Sequence, residues 1–287
     1  MNYKLIPGLL TLLILLMPMA CTERVELDLD TTYTRLVVEG YVSSDSVAHR
    51  VRLSTTADYY SNQTTPRVTQ AQVEISYNDQ TILLPESVDS PGLYICEKAF
   101  RGEPGVIYNL NIQQVDIDSD GQEENYQAES SMESGAYLSQ ISLKYFPTPI
   151  LNAYLISMSG GHRKYERDWF GFKVWRNSDL LTDTLNKYTT FNDDLFDDGG
   201  FNGFPIAYLD DSDPRQALEP GDTVTLQMEH LSEFHYLFIN DIMLEGVGNY
   251  PLFTGPSANV RTNISNGALG IFAAYSISRA SVIVGEK

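Results

Sequence analysis

The sequence predicts an all-β protein made of two β-sandwich domains of immunoglobulin-like (Ig-like) type, with one short helix in the C-terminal domain. Three observations support this prediction: segments in which apolar and polar residues alternate with a period of two, turn residues that separate these segments at short intervals, and a single segment with helical spacing. The chain has 287 residues, a length that suits about two domains. Hydrophobic residues make up 43% of the chain, which is enough to form a core and excludes intrinsic disorder.

The N-terminal domain is predicted to span residues 36–134. Apolar and polar residues alternate over 47–53, 73–77 and 108–112, a pattern that buries one face of each strand. The second of these segments is followed by 78–79, an Asn-Asp pair typical of a turn. Several short strands with such turns favour a sandwich.

The C-terminal domain is predicted to span residues 135–287. The polar stretch 116–134 precedes it and contains few apolar side chains, so we expect little contribution to a core from this stretch. Alternation then resumes over 170–174 and 224–228, which predicts two more strands.

Two turns and one helix complete the prediction. Glu-Pro-Gly occurs at 103–105 and again at 219–221, and it predicts type II turns because Pro sets φ and Gly accepts a positive φ. Ser232 suits a helix N-cap, apolar residues recur at helical spacing over 234–242, and Gly246 ends the pattern.

Residues 1–20 are typical of a secretory signal. They contain one charged residue, Lys4, then an apolar run and small residues before a cleavage point. The alternative is a retained membrane helix. That alternative is disfavoured because a helix needs about 20 apolar residues to span a bilayer, and Pro7 and Pro18 interrupt this run.

Cys21 follows the signal directly and resembles the lipobox cysteine of bacterial lipoproteins. The resemblance implies that Cys21 carries a diacylglycerol, and several acyl chains on one residue anchor a protein stably in a membrane. Residues 21–35 form an acidic tether that resembles the export signal of lipoproteins on the outer face of the Bacteroidota outer membrane. The alternative reading is a simple solvated tether.

The second cysteine, Cys96, has no partner if Cys21 is lipidated, so the sequence predicts no disulfide framework. Cys96 lies in an apolar, strand-like run and has no His or Cys at metal-binding spacing. We therefore predict a buried structural thiol.

Charge and motifs exclude two classes of function. The formal net charge of -19 and the absence of a basic block argue against binding to nucleic acid. The chain contains no nucleophile elbow, phosphate-binding loop or dinucleotide fingerprint, and we predict that it is not an enzyme. His230 and His235 are five residues apart and would diverge on a helix, which disfavours zinc, and His162 is predicted to lie in an exposed loop.

Calcium is the one cofactor that the sequence suggests. Asp116, Asp118 and Asp120 followed by Gly121 match the opening of an EF-hand loop, but Gln127 stands where that loop has its bidentate Glu. The alternative is a polar hairpin tip. A second acidic cluster at 193–198 has similar oxygen density with less regular spacing.

Trp169 and Trp175 are candidate ligand-binding residues. They share strand parity, so both would lie on one face of the predicted strand and could stack on the apolar faces of sugars. The alternative is that this face packs against a neighbouring domain.

Several segments carry a family resemblance. Val-Val-Glu-Gly-Tyr-Val at 37–42, Ala-Gln-Val-Glu-Ile at 71–75 and especially Ala-Asn-Val-Arg-Thr-Asn-Ile at 258–264, which runs into 267–275, resemble Bacteroidota outer-membrane lipoproteins. These lipoproteins are grouped as a domain of unknown function and are commonly encoded beside TonB-dependent receptors. The resemblance implies a surface lipoprotein and brings no catalytic residues. From the residues alone, 263–267 suits a tight turn.

We therefore expect a non-enzymatic lipoprotein on the outer face of the outer membrane, attached to the membrane by its N-terminal lipid. The resemblance implies that it is an accessory or ligand-capturing partner of a TonB-dependent β-barrel or a related outer-membrane complex. Two alternatives stay open: an independent glycan-binding module, and an accessory in outer-membrane protein assembly.

Overall fold

A computed structural model describes residues 34–56, 65–117, 120–147, 152–194, 196, 199–246 and 260–286. The predicted signal at 1–20, the lipidation site Cys21 and all but the last two residues of the tether at 21–35 lie outside these ranges. The described residues form 17 strands and one α-helix, so the all-β prediction is confirmed.

The strands, in chain order, are β1 (Leu36–Ser43), β2 (Ser46–Val47), β3 (Arg50–Thr55), β4 (Gln72–Tyr77), β5 (Gln80–Leu84), β6 (Leu93–Ile95), β7 (Phe100–Arg101), β8 (Ile107–Val115), β9 (Glu124–Ser131), β10 (Tyr137–Pro147), β11 (Asn152–Gly161), β12 (Trp169–Arg176), β13 (Asp179–Leu180), β14 (Thr189–Asn192), β15 (Gly200–Asp210), β16 (Thr223–Leu231) and β17 (Leu269–Ile283). The helix α1 spans Glu233–Gly246, and one 3-10 helix spans Leu185–Lys187.

An eight-stranded central sheet organises the fold. Its order is β13-β12-β16-β17-β1-β3-β6, and β14 pairs with β12 beside β13. The first half of β17 pairs in parallel with β1, and its second half pairs antiparallel with β16. The last strand therefore joins strands from the two ends of the chain.

Two smaller sheets accompany two hydrophobic clusters. The four-stranded sheet β5-β4-β8-β9 contributes to the first cluster, and the three-stranded sheet β10-β11-β15 contributes to the second. The strand β17 belongs to both, through Phe272 and Ala274 in the first cluster and Ala280 and Val282 in the second. The predicted domain boundary at Ser134 falls between β9 and β10 and stays a prediction.

The predicted turns and helix are confirmed. Gly105 and Gly221 have φ of 88° and 94°, and the residue after each donates its N–H to the Glu carbonyl that opens the turn, at 3.3 and 3.0 Å. Ser232 caps α1, because its Oγ accepts the N–H of His235 at 3.3 Å. Within the described ranges, no helix combines the length and apolar composition needed to cross a bilayer.

Two strand-level expectations need correction. Residues 47–53 do not form one strand, because β2 ends at Val47 and that side chain is exposed. The polar stretch 116–134 contributes more to the core than we expected. It forms β9, in which Tyr126 and Ala128 are buried. Met132, the residue directly after the strand, is buried as well.

Candidate functional site

The central sheet has an outer face, which we define as the face opposite the two hydrophobic clusters. Alternate residues of β12 and β16 point to the clusters, so Lys173 and Glu229 point to the outer face. A cavity of about 370 Å³ opens on this face. We call it the tyrosine cavity, and its lining combines residues from five strands, α1 and the segment before β14: Tyr41, Lys173, Leu180, Thr182, Asp183, Thr184, Leu185, Tyr188, Glu229, His235, Ile239 and Tyr275.

A buried carboxylate, that of Glu229, forms the floor of the cavity. It accepts hydrogen bonds from Lys173 Nζ at 2.7 Å, Tyr188 Oη at 2.5 Å and Gln227 Nε2 at 2.6 Å. A buried charge is tolerated when it is paired and hydrogen-bonded in this way. These donors occupy the carboxylate, so Glu229 does not serve as a free base.

Tyr188 reaches Glu229 only because the residue beneath its ring is glycine. A Cβ on Gly171 would lie 1.7 Å from Tyr188 Oη and 2.5 Å from Cζ. The side chain of Tyr188 comes from the short 3-10 segment before β14, where it is the C-cap residue. The small residue on β12 therefore positions the phenol that closes one side of the cavity.

Tyr41, Tyr275 and the imidazole of His235 form a ring group at the other side. The ring centroids are 5.9 Å apart for Tyr41 and His235, 5.7 Å for His235 and Tyr275, and 6.5 Å for the two tyrosines. Among the described residues, neither phenol oxygen of this pair makes a hydrogen bond, and His235 Nδ1 is buried without a partner. The two phenol oxygens are available to a ligand, and the His235 side chain lines the cavity beside them.

The ring group is uncharged near neutral pH. Burial, reinforced by the nearby carboxylates, raises the pKa of Tyr41 to about 12 and raises the pKa of Tyr275 further. Burial lowers the pKa of His235 to about 4. The cavity therefore offers neutral donors and acceptors beside aromatic rings, over a carboxylate whose charge is already paired.

Trp169 and Trp175 lie at the two ends of β12, on the outer face as predicted. Both are partly buried, and neither belongs to the lining of the tyrosine cavity. Six residues of strand separate them by about 20 Å, so one sugar ring can stack on only one of them. Their role in ligand binding stays a prediction.

Two of the candidate calcium residues, Asp116 and Asp120, lie between β8 and β9, which form a hairpin. The Asp116 carboxylate accepts the N–H groups of Asp120 at 3.2 Å and Gly121 at 3.0 Å. Asp118 lies outside the described residues. The calcium prediction stays a prediction.

Two predictions about single residues have different outcomes. Cys96 is a free, buried thiol whose pKa burial raises to about 11, as expected for a structural cysteine. The prediction of an exposed His162 is wrong. Its side chain is 1% exposed, because Asp168, Asp193 and the ring of Phe201 pack around it.

Sequence reasoning missed the residues of the tyrosine cavity. They come from β1, β12, β13, the segment before β14, β16, α1 and β17, several of which are far apart in the chain. One signal was present: Lys173 and Glu229 are charged residues at the centres of strands whose other face is apolar. A paired charge in such a position indicates a buried polar site.

No curated protein is similar enough to this chain to count as a match. The family model described as a domain of unknown function (DUF4249) matches residues 22–281, which is most of the chain. The match includes the segments whose resemblance we noted, all but the last two residues of the central sheet and all residues of the tyrosine cavity. The chain therefore belongs to the DUF4249 family.

Proposed function

We propose that this protein is a non-enzymatic lipoprotein, anchored through Cys21 in the outer membrane and facing the cell exterior, that captures a small ligand for a TonB-dependent transporter or a related outer-membrane complex. The observation that carries the proposal is the tyrosine cavity. Its volume of about 370 Å³ lies within the range of small-molecule sites, roughly 300–1,000 Å³. It also gathers the groups with the most perturbed pKa values, which is typical of functional sites.

The ligand that suits this cavity is a small, neutral molecule with several hydroxyl groups. The free phenols of Tyr41 and Tyr275 can each donate and accept a hydrogen bond, and neutral His235 can accept or donate one. The charge of Glu229 is already paired with Lys173, so a charged ligand would find no free counter-ion there. Aromatic rings beside hydroxyl-binding groups are the arrangement that sugars require.

Support for the anchor and the partner comes from the sequence. The lipobox-like cysteine follows a secretory signal, an acidic tether follows the cysteine, and the family resemblance links such lipoproteins to TonB-dependent receptors. A ligand-binding domain on a lipid anchor remains beside the barrel while its tether allows it to approach the opening. The N-terminal lipid and the barrel are therefore the two proposed contacts.

Removing the two free phenols should weaken ligand binding. The double variant Tyr41→Phe, Tyr275→Phe keeps both rings and loses two hydrogen bonds, so we expect at least about a tenfold loss of affinity. The measurement is calorimetric titration with a panel of neutral monosaccharides and short oligosaccharides. Tyr165→Phe is the matched control, because Tyr165 is 87% exposed and lies outside the cavity. A wild-type protein that binds no member of the panel, or a double variant that binds as well as wild type, would contradict the proposal.

The proposed partner should co-purify with the protein. We expect the full-length lipoprotein, isolated from detergent-solubilised outer membranes, to bring a TonB-dependent barrel with it, identified by mass spectrometry. A Cys21→Ser variant should lose both the membrane association and the barrel, since it cannot be lipidated. Recovery of the wild-type lipoprotein without any barrel protein would count against the partnership. Recovery with an assembly component instead would favour the assembly role.

A second candidate function is an independent glycan-binding module. The observation that favours it is the position of Trp169 and Trp175, which share the outer face of β12. In the same titration, this function predicts that Trp169→Ala or Trp175→Ala abolishes binding while the double tyrosine variant retains it. The two sites are thereby distinguished in one experiment.

We also propose that the two hydrophobic clusters are the cores of two Ig-like sandwiches. Support comes from the pairing of each cluster with its own smaller antiparallel sheet and with one part of the central sheet. In this arrangement β17 is shared by both sandwiches, and the tyrosine cavity lies on the surface that neither core uses.

A further inference from the structure

We propose that His162, Asp168 and Asp193 form a buried binding site for one divalent transition-metal ion, with zinc as the metal that fits best. We call these three residues the His162 cluster. It is separate from the tyrosine cavity and from the calcium candidates at the β8–β9 hairpin. His162 directly follows β11, Asp168 directly precedes β12, and Asp193 directly follows β14.

The ligand atoms of the three residues converge. One atom from each lies within 4.8 Å of the other two. Nδ1 of His162 is 2.9 Å from Asp193 Oδ2 and 4.0 Å from Asp168 Oδ2. Two ligand atoms on one tetrahedral ion, with bonds of about 2.0–2.2 Å, lie roughly 3.3–3.6 Å apart, a value between the two separations at His162 Nδ1.

The hydrogen bonds of the cluster are incomplete without a cation. Nδ1 of His162 lies 3.1 Å from the Arg163 carbonyl oxygen, so a proton on Nδ1 is donated to that oxygen. Asp193 Oδ1 accepts the N–H of Asp168 at 2.9 Å, but Asp193 Oδ2, although it lies 2.9 Å from His162 Nδ1, makes no hydrogen bond with any described residue. The Asp193 side chain is only 4% exposed, and a buried carboxylate oxygen without a donor is costly.

A metal ion removes this deficiency. It replaces the proton on His162 Nδ1 and gives Asp193 Oδ2 a cationic partner. Asp168 Oδ2 accepts one N–H, that of Arg163 at 2.8 Å, and a carboxylate oxygen has a second lone pair for the ion. The ion and the imidazole proton cannot occupy Nδ1 together, so on loading the proton moves to Nε2, the other ring nitrogen, which is buried and has no partner among the described residues.

The surroundings of Asp168 are those of a supported metal ligand. Its other oxygen, Oδ1, accepts hydrogen bonds from Arg163 Nε at 2.6 Å and His230 Nε2 at 2.9 Å. Such outer partners fix the orientation of ligating carboxylates in metal sites.

The local charge also favours a cation. Arg163 is the only cationic side chain paired with Asp168 among the described residues, and it is shared with Glu133 at 3.3 Å and Glu166 at 3.0 Å. The carboxylates of Glu133, Glu166 and Asp168 outnumber the single positive charge of Arg163. The donor set of one nitrogen and carboxylate oxygens suits zinc or another first-row divalent ion better than calcium or magnesium, which prefer oxygen alone.

The tag-free protein is purified with zinc in the buffer and then desalted. We expect inductively coupled plasma mass spectrometry to find about one equivalent of zinc in it. Chelation with EDTA should lower the Tm by about 5 °C or more, and zinc added back should restore it. Asp193→Asn should reduce the zinc content to below about a tenth of an equivalent. Asp194→Asn is the matched control, because Asp194 is the exposed neighbour that pairs with Arg167, and it should keep the metal.

Circular dichroism of each variant separates loss of metal from loss of fold. If Asp193→Asn does not fold, the wild-type zinc content and the EDTA response still decide the matter. Wild-type protein with less than about a tenth of an equivalent of zinc and no change of Tm on adding zinc would overturn the proposal. Zinc that Asp193→Asn and Asp194→Asn retain equally would also overturn it, because the ion would then lie elsewhere.

Discussion

Gly270→Ala should destabilise the protein by about 3 kcal/mol or more. Gly270 lies in β17 beside Val38 of β1, at the parallel pair that joins the last strand to the first. A Cβ at this position would lie 2.0 Å from the backbone oxygen of Val38, so the two strands must separate. The φ of 95° adds the left-handed cost of about 1–2 kcal/mol to an overpacking cost of about 1–3 kcal/mol.

A second glycine isolates the steric part of this effect. Gly221 has almost the same φ, 94°, but a Cβ there would meet nothing within 4 Å. Gly221→Ala should therefore lower the free energy of unfolding only by the cost of the left-handed backbone, about 1–2 kcal/mol. The free energy of unfolding, measured by urea denaturation with a common slope, gives both numbers. Equal losses in the two variants would show that the approach of β17 to Val38 is not tight.

Acidification from pH 7.5 to pH 4.5 should remove about 2–3 kcal/mol of stability through His235 alone. Burial lowers the pKa of His235 from 6.5 to about 4 in the folded protein. The unfolded chain therefore binds the proton first as the pH falls, which favours unfolding. The neutral imidazole contributes its full stabilisation above pH 6.5, and this contribution is lost progressively as the pH falls toward 4. Each unit of difference between the folded and unfolded pKa corresponds to up to 1.36 kcal/mol.

The variant His235→Phe keeps a ring in the group with Tyr41 and Tyr275 and cannot titrate. Its stability should fall less steeply than that of wild type between pH 6.5 and pH 4.5. The difference between the two curves cancels the contribution of His49, whose pKa burial also lowers. Parallel curves for the two proteins would mean that His235 is not buried in its neutral form.

Local sequence patterns predicted the elements whose structure depends on neighbours in the chain. The β4–β5 hairpin follows from alternation in 73–77 and from Asn78-Asp79, both of which have positive φ. The same holds for the Ser232 cap of α1 and for the turn at Asn266-Gly267. In each case the residues involved are within a few positions of one another, so the local sequence is enough to predict their conformation.

The same reasoning failed where burial depends on distant segments. The sequence around His162 is polar and rich in glycine, which is typical of an exposed loop. The structure buries it because Asp193, about thirty residues later, lies against the imidazole. Likewise, the polar character of 116–134 did not indicate β9. This strand contributes only a few apolar side chains to the first cluster, among them Tyr126 and Ala128.

The sequence by itself determined the class of the fold, several of its strands and turns, and the membership of the family, because these depend on periodicity and on local motifs. The prediction of a lipid anchor at Cys21 also rests on the sequence alone, because Cys21 lies outside the described residues. The tertiary structure decided the candidate sites. The tyrosine cavity needs β1 and β17 to pair in parallel across more than two hundred residues, and the His162 cluster needs three separate loops to meet. Such contacts arise only when a sheet is assembled, because strand order is not encoded in the pattern of any one strand.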